Sequence, residues 1–338
     1  ADVPVGCLRI HVGNTTADGD VGAPGARSRL SFYLKYLNTI HRQARTGNVL
    51  GVRYPAPVQN PEPDRPPLDY RHCFDSPSGR LDISCRDLDA WPFPSPPPDG
   101  VISLDAALNR FTQIPTQATR LPGLRRLLLF GNRIVKIPAT IEGLPHLEAL
   151  DLGENPVRHI SEDVCQLRHL RRLSVYGGCL ETIPAQLGRL QDLQRLTLGN
   201  ELAALPPSIG LCRRLLRLSL SHNRLNSLPP TLGALDNLID LRVDNNRLAG
   251  WPATFRGLRS LRWLHADGNP LRRLPWFALE LPAMRGISCC DFLVSPDEAG
   301  RFTEACVERG IVIRWNRSLC TSETYDPELG DEDSLETD

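Results

Sequence analysis

The chain has 338 residues, enough for two ordinary domains, and its 39 basic and 39 acidic residues give a formal net charge of zero. No apolar run approaches the ~20 residues that a membrane-spanning helix needs, and no segment has the form of a signal peptide. The arginines are dispersed among aspartates instead of forming the basic stripe of a nucleic-acid-binding protein. We therefore expect neither a membrane nor a nucleic acid as a partner.

The first predicted element is an amphipathic helix from Ser28 to Ala44, which ends before Gly47. Its apolar residues at positions 30, 33, 34, 37 and 40 lie on one helical face. Prolines at positions 55, 57, 61, 63, 66 and 67 then predict an extended linker. We expect residues 1–78 to form a helical N-terminal cap and this proline-rich linker. Recognition of a partner helix by the apolar stripe is the alternative.

A register of 23 residues occupies positions 79–292 and is clearest in the run Leu215-x-x-Leu218-x-Leu220-x-x-Asn223-x-Leu225-x-x-Leu228-Pro229. The corner position of this register is asparagine at 109, 132, 155, 223, 246 and 269. Weaker repeats carry Arg86, Gly178, Asn200 and Phe292 at the same place, and the step from 178 to 200 is one residue shorter. Self-similarity at this period is typical of a leucine-rich repeat solenoid.

Each repeat predicts a short strand, a tight corner and a return segment. The asparagine side chain at the corner can bond backbone groups that the bend leaves unpaired. A Leu-Pro pair at the start of the return segment suits a short helical or 3₁₀ turn. Because one repeat cannot bury its leucines alone, stacked repeats must supply a continuous core. The predicted fold is therefore an α/β leucine-rich repeat solenoid of about ten turns, with a parallel β-sheet on its concave face.

The C-terminal part predicts a cap over the last repeat, residues 293–322, and a tail, residues 323–338. A helix from Pro296 to Arg309 and the apolar stretch Ile311–Trp315 can close the solenoid. From Glu323 to Asp338 the chain carries eight acidic residues and no basic one, which is typical of a solvated, disordered tail. The body of the chain is therefore basic.

The ten cysteines do not form the pattern of a disulfide framework. Cys212 and Cys289 hold leucine positions of the register, so we expect them in the core. The cysteine-rich caps of secreted repeat proteins are absent, which favours reduced thiols and a cytoplasmic location. Pairing among the cap cysteines at 289, 290, 306 and 320 stays open, and no spacing predicts a metal site.

No motif predicts catalysis or a cofactor. There is no glycine-rich phosphate loop, no His-Glu-x-x-His and no Gly-x-Ser-x-Gly. A Cys-x-Asp sequence at Cys289–Asp291 is similar to the nucleophile motif of bacterial ubiquitin ligases fused to leucine-rich repeats. The register nevertheless places Cys289 in the core, and we expect the 47 residues after Asp291 to be too few for a ligase domain. We expect a protein that is not an enzyme.

The predicted binding surface is the set of side chains that the strands present outward, at six, four and two residues before each corner. An arginine column runs through positions 126, 172, 195 and 217, and apolar side chains stand at 128, 130, 176 and 263. Arginine and aromatic residues are enriched in protein-interface hot spots. The predicted partner contacts are Arg126, Phe130, Arg172, Tyr176, Arg217, Arg242, Trp263 and His265. The alternative is that alternating arginine and aspartate only solvate the sheet.

The Leu-Pro-x-x-Leu-Gly return segment resembles that of 23-residue intracellular leucine-rich repeats. These include the Ras-associated group of plants and animals and type III secreted effectors of plant-pathogenic bacteria. The run His41-Arg42-Gln43-Ala44-Arg45-Thr46-Gly47 is similar to the N-terminal helical cap of Xanthomonas-type effectors. The resemblance implies repeats that recruit a host protein, sometimes beside a separate ubiquitin-ligase domain.

The functional prediction is a monomeric protein-binding module, a bacterial effector or its repeat domain, acting in a host cytosol. Only Lys35 and Lys136 are lysines among the 39 basic residues. Either a GC-rich genome or selection against ubiquitin-acceptor amines would explain this bias. The alternatives are a ubiquitin ligase or its substrate-recruiting part, and a eukaryotic scaffold that regulates a GTPase or a phosphatase.

Overall fold

The computed structural model describes residue 70 and the ranges 73–94, 97–290 and 294–315. The chain divides into two compact units, Ala1–Arg65 and Pro66–Asp338, and all described residues lie in the second. The predicted N-terminal helix, most of the proline-rich linker, Phe292 and the acidic tail lie outside the described residues. Among the described residues no helix is both long and apolar enough to cross a membrane.

Twelve strands of the described part form one sheet in sequence order. The strands are β1 Phe74–Asp75, β2 Arg80–Asp82, β3 Ser103–Asp105, β4 Arg126–Leu128, β5 Ala149–Asp151, β6 Arg172–Leu180, β7 Arg195–Asn200, β8 Arg217–Ser219, β9 Asp240–Arg242, β10 Trp263–His265, β11 Gly286–Ser288 and β12 Val312–Arg314. β1 pairs antiparallel with β2, and each later neighbour pair is parallel. The sheet does not close on itself, as predicted for a leucine-rich repeat solenoid.

Short 3₁₀ helices return the chain from each strand to the next between β3 and β11. They are Ala118–Arg120, Ala139–Gly143, Glu162–Gln166, Leu187–Arg189, Pro207–Leu211, Pro230–Ala234, Ala253–Gly257 and Trp276–Glu280. Proline lies at the first helical position of two of them and caps the start of several others. Its fixed φ suits that place, so the predicted role of the Leu-Pro pair is confirmed.

The core is a column of apolar side chains contributed by every repeat. In the repeat of β8, Leu215, Leu218 and Leu220 are each at most 1% exposed. Cys212 and Cys289 are fully buried, which confirms that they replace core leucines. Burial raises the pKa of the Cys212 thiol to about 12. Cysteines 165, 179, 212, 289 and 306 of the described ranges are free thiols.

The corner asparagines form a buried ladder along the sheet. Asn246 is 5% exposed, and its Nδ2 donates to the carbonyl oxygens of Leu220, Val243 and Asp244 at 2.9–3.1 Å. Its Oδ1 accepts from the backbone N–H of Leu225 at 3.1 Å. The Asp244 carbonyl also accepts from the N–H of His222, but the other three groups have no backbone partner at the bend, so one side chain satisfies them. The predicted role of the corner asparagine is confirmed.

The ladder is interrupted in the repeat of β6, directly before the repeat that is one residue short. Gly178 holds the corner position there, and Asn200 in the next repeat donates to the Gly178 carbonyl at 3.0 Å. A Cβ atom on Gly178 would collide with the carbonyl oxygen of Asn155, so the close approach of two backbones replaces the asparagine bond. β6 and β7 are the two longest strands, and their pairing shifts register between Val175 and Leu180.

The C-terminal cap contains the predicted helix and strand. Helix α1 spans Pro296–Glu308, and the Ser295 side chain caps it by accepting from the N–H of Glu298. Phe302 and Cys306 of α1 are buried. β12 then continues the sheet beside β11, so a paired strand covers the edge of the last repeat.

Candidate partner-binding face

The strands present their outward side chains in three rows on the concave face. The rows are defined by position before each corner, and in the short repeat these positions lie one residue nearer to the corner Asn200. The first row, six residues before each corner, holds Arg80, Ser103, Arg126, Ala149, Arg172, Arg195, Arg217, Asp240, Trp263 and Gly286. The second row, four residues before, holds Asp82, Asp105, Leu128, Asp151, Ser174, Thr197, Ser219, Arg242, His265 and Ser288. The third row, two residues before, holds Ser84, Ala107, Phe130, Gly153, Tyr176, Gly199, Ser221, Asp244, Asp267 and Cys290.

Three arginines stand side by side in the first row. Arg172, Arg195 and Arg217 are register partners on the parallel strands β6, β7 and β8. Neighbouring strands lie ~4.8 Å apart, so we call this stack of like charges the arginine ladder. The guanidinium of Arg172 is exposed and makes no ion pair or hydrogen bond with another described side chain. The outward positions of β6–β8 carry no acidic residue.

Phe130 and Tyr176 form an aromatic platform over Gly153 in the third row. Their ring centroids are 6.4 Å apart. A Cβ atom on Gly153 would lie 2.7 Å from the Tyr176 ring and 3.1 Å from the Phe130 ring, so the glycine makes room for both rings. Both side chains are half-buried by this packing. These aromatic side chains therefore also pack within the fold, a role that the sequence analysis did not predict.

Trp263 lies at the other end of the first row and packs on Gly286 of the next repeat. It is half-buried, and its Nε1 is buried without a hydrogen-bond acceptor. His265, in the second row of the same strand, has its Nε2 3.9 Å from the Asp240 carboxylate. Arg242 is exposed and pairs through Nε with the same carboxylate at 3.1 Å.

The third row near β9 and β10 is acidic. Asp244 accepts hydrogen bonds from the Ser221 hydroxyl at 3.0 Å and from the backbone N–H of Asp267 at 3.1 Å. Burial raises the pKa of Asp244, the charge of Asp267 raises it further, and His265 opposes the shift. We call Asp240, Asp244 and Asp267 the acidic patch, and it adjoins the arginine ladder because Asp240 is the register partner of Arg217.

The predicted contact residues thus fall into two groups on one face. Phe130, Arg172, Tyr176 and Arg217 lie around β4–β8 with Arg126, whose Nε donates to the Ser103 hydroxyl at 3.3 Å. Arg242, Trp263 and His265 form the second group on β9 and β10. The sequence analysis did not include Arg195 or the acidic patch among the predicted contacts. The alternation of inward and outward side chains along each strand nevertheless places these residues outward as well.

The described residues give no site for a metal ion. No group of three or more histidine, cysteine, aspartate or glutamate side chains in those ranges is arranged to hold one. Cys289 of the Cys-x-Asp sequence is fully buried, and burial raises its thiol pKa far above the ordinary value. Because the thiolate is the nucleophilic form, a raised pKa disfavours catalysis by Cys289 and favours a structural role for its thiol.

Glu154, at the corner after β5, has an unusual environment for a carboxylate. It adopts a φ of 52°, and its carboxylate rests against the backbone of Gly177. Burial raises the pKa of Glu154 to about 7 from an ordinary value of 4.5. The folded state therefore holds this proton more tightly than the unfolded state, so Glu154 lowers the free energy of unfolding as pH rises from about 4.5 to about 7.

We expect Glu154→Gln to stabilise the protein at about pH 8, by ~1–2 kcal/mol, and to change it little at about pH 4, below the unfolded pKa. Glutamine keeps the shape of the protonated side chain and never bears the charge that burial disfavours. Urea unfolding of both proteins at the two pH values measures the difference. Glu142→Gln, at an exposed carboxylate, is the matched control. An equal gain at both pH values would contradict this account.

The rows, the asparagine ladder and the 3₁₀ return segments define the class of protein: a leucine-rich repeat solenoid. Two segments, residues 122–177 and 213–271, match the family model described as "Leucine rich repeat". The chain therefore contains leucine-rich repeats. A comparison with curated proteins gives no match.

Solved structures with the same fold come from bacteria and plants. A leucine-rich repeat protein of Leptospira interrogans is 29% identical, with a TM-score of 0.60 over 63% of this chain and 54% of its own. The repeat ectodomain of the Arabidopsis thaliana receptor kinase GASSHO1/SCHENGEN3, solved in complex with CASPARIAN STRIP INTEGRITY FACTOR 2, is 28% identical, with a TM-score of 0.55 over 65% of this chain.

The functional domain of InlJ from Listeria monocytogenes shares the fold at 20% identity, with a TM-score of 0.50 over 58% of this chain and 40% of its own. This chain spans about half of the Leptospira protein and 28% of the plant ectodomain. These relatives establish the repeat architecture, which is commonly a scaffold for binding proteins.

Proposed function

We propose that this protein is a non-catalytic module that binds another protein through its concave face. The observation that carries the proposal is the position of the arginine ladder and the aromatic platform on one sheet surface. Arginine and aromatic side chains dominate interface hot spots because they combine a large contact area with directional bonds. A partner that covers this face would bury roughly 1,600 Å² in total.

The sequence features favour a bacterial effector that binds a host protein. The scarcity of lysine and the resemblance of the repeats to those of type III effectors support this finer proposal. Affinity enrichment from plant and animal lysates, followed by mass spectrometry, identifies the partner. We expect a discrete host protein, and the absence of any specifically enriched protein from these lysates would contradict the effector role.

We expect the triple variant Phe130→Ala/Tyr176→Ala/Trp263→Ala to weaken binding of the identified partner by at least about a hundredfold, since single hot-spot truncations often cost about 2 kcal/mol. Pull-down and calorimetric titration measure the loss. The matched control is Val135→Ala/Leu211→Ala/Val307→Ala, which removes exposed apolar side chains outside the three rows. Unchanged capture by the folded face variant would refute concave-face binding.

The absence of catalysis has a separate test. The buried, high-pKa Cys289 supports a protein without a ubiquitin-transfer nucleophile. We expect no chain formation when the purified protein is incubated with a ubiquitin-activating enzyme, a panel of conjugating enzymes and ATP. Robust chains that disappear in Cys289→Ala would overturn this part of the proposal.

A further inference from the structure

We propose that the C-terminal end of the concave face recognises a carboxamide, the side-chain group of asparagine and glutamine, on an extended segment of the partner. The carboxamide would bond to Trp263 and Asp240, and an apolar side chain two residues away would pack on Trp263 and Val312. This inference rests on the proposed protein-binding function and gives the chemical class of the bound segment.

Two neighbouring polar atoms in the first row have no hydrogen-bond partner. Nε1 of Trp263 is a buried donor without an acceptor, and Oδ1 of Asp240 is a buried acceptor without a donor. The two residues are register partners on β10 and β9, strands that lie ~4.8 Å apart. Buried polar groups are almost always bonded in native proteins, so an adjacent donor and acceptor that both lack partners mark a place where a ligand can bond.

The packing of Trp263 turns its N–H group toward Asp240. The indole atoms nearest to Gly286 are Cζ3, Cε3 and Cη2, which belong to the six-membered ring. Nε1 lies on the opposite edge of the indole, and Asp240 lies on the opposite side of Trp263 from Gly286 in the row. A ligand reaches the two polar atoms when this half-buried ring tilts over Gly286, where no side chain blocks it.

The charges around Asp240 favour a neutral donor over a cation. Its Oδ2 accepts from Nε of Arg242 at 3.1 Å, and Nε2 of His265 lies 3.9 Å from Oδ1, beyond hydrogen-bond length. Arg242, and His265 when it is protonated, already compensate the carboxylate and would repel a further cation. A carboxamide carries no charge, its nitrogen donates two hydrogen bonds and its oxygen accepts. It therefore matches both the Asp240 oxygen and the Trp263 N–H.

Two other indoles of the described residues provide comparisons for this site. Nε1 of Trp251 is also buried without an acceptor, but its ring packs near Phe255 of a return segment, away from the three rows. Nε1 of Trp315 donates to the Thr303 hydroxyl at 2.8 Å. An unbonded indole N–H alone is therefore not a site. Trp263 differs from Trp251 because an unbonded acceptor lies beside it on the concave face.

The apolar surface next to this pair sets the rest of the segment. Trp263 packs on Gly286, and Val312, the register partner of Gly286 on β12, is 52% exposed. The centre of this apolar surface is about one and a half strand spacings, ~7 Å, from the gap between Asp240 and Trp263. Alternate side chains of an extended chain are also ~7 Å apart and point to the same side. The carboxamide and the apolar side chain are therefore two residues apart.

The test follows the indole N–H resonances of the isotope-labelled protein by NMR during titration with short peptides. The probes are acetyl-Ala-Gln-Ala-Leu-Ala-amide and the same residues in reverse order, so both chain directions are covered. We expect one of them to shift the Trp263 resonance downfield, because a hydrogen bond deshields the proton. The resonances of Trp251 and Trp315 should stay in place. Loss of a resonance in Trp263→Phe assigns it.

Substitutions in the peptide separate the chemical alternatives. Methionine in place of glutamine keeps the length of the side chain and removes both the donor and the acceptor, so we expect binding about tenfold weaker. Lysine in the same place tests for a cation site, and we expect it to bind no more tightly than methionine does.

Variants of the protein locate the contact. Trp263→Phe removes the N–H group and keeps an aromatic ring over Gly286, so it should weaken binding of the glutamine peptide about fivefold and leave the methionine peptide unchanged. The matched control Trp251→Phe removes an unbonded indole N–H outside the three rows and should bind both peptides as the wild type does. The backbone N–H resonance of Val312 reports binding in each variant. Thermal unfolding by circular dichroism verifies that both variants are folded.

Three outcomes would overturn the proposal. The first is that neither glutamine peptide moves the Trp263 resonance, and the second is that the methionine peptide binds as tightly as the glutamine peptide. The third is that the lysine peptide binds more tightly than both, which would indicate a cation site. If the peptides fail but capture of the identified partner still depends on Phe130, Tyr176 and Trp263, the carboxamide proposal fails while the binding function stands.

Discussion

Asn246→Ala is expected to lower the free energy of unfolding by about 3–4 kcal/mol. The side chain is buried and satisfies the carbonyls of Leu220, Val243 and Asp244 and the N–H of Leu225. Alanine leaves the N–H of Leu225 without a partner in the core, while each of the three carbonyls loses one of its two donors. An orphaned buried group costs about 1–3 kcal/mol, and a lost hydrogen bond about 0.5–1.5 kcal/mol, before the structure relaxes or water enters. Chemical unfolding followed by circular dichroism measures the loss.

Asn237→Ala is the matched control for this substitution. Asn237 is exposed, and its one side-chain hydrogen bond is to the carbonyl of Arg213 at 2.9 Å. We expect a loss within about 0.5 kcal/mol, as for other surface positions. A cost below about 1 kcal/mol for Asn246→Ala would mean that the asparagine ladder does not stabilise the solenoid.

Leu220→Ala is expected to cost about 2–5 kcal/mol. Leu220 is fully buried on the inward side of β8, between the core leucines of the neighbouring repeats. Removing three carbon atoms there loses burial and leaves a cavity that stacked repeats can only partly close. The same unfolding experiment reports the change.

Leu211→Ala tests whether burial is the cause. Leu211 is 57% exposed on the return segment Pro207–Leu211, so the same atoms are removed from a largely solvated position. We expect less than about 0.5 kcal/mol. Equal losses at the two leucines would show that the 23-residue register assigns inward and outward positions incorrectly.

The fold was predictable because one physical constraint is repeated. Every repeat must bury the same inward positions and satisfy the same corner, so the spacing of leucine and asparagine specifies strand, corner and return segment together. The burial of Cys212 followed from its register position alone. The predicted domain limits, the N-terminal cap and the similarity of His41–Gly47 to effector caps remain predictions.

The sequence predicted which side chains point outward on the candidate face, but it did not predict how these side chains pack. Alternation in a strand determines which residues point outward, and this placed Phe130 and Trp263 on the concave face. Their partial burial depends on Gly153 and Gly286 in neighbouring repeats, and a single strand carries no sign of such a contact. The pKa of Asp244 is likewise raised by burial and by Asp267 and opposed by His265 and Ser221, which lie in the neighbouring repeats of β10 and β8.

The interruption of the asparagine ladder at Gly178 has a consequence for how the repeats cooperate. Because the stability of a repeat array depends on contacts between neighbouring repeats, we expect the interruption to separate Asn109–Asn155 from Asn223–Asn269 into two blocks that unfold in separate steps. The long pairing of β6 with β7 spans the boundary between the two blocks. A protein bound to the concave face across β6, β7 and β8 would connect the blocks, so we expect it to slow amide exchange on both sides of the boundary.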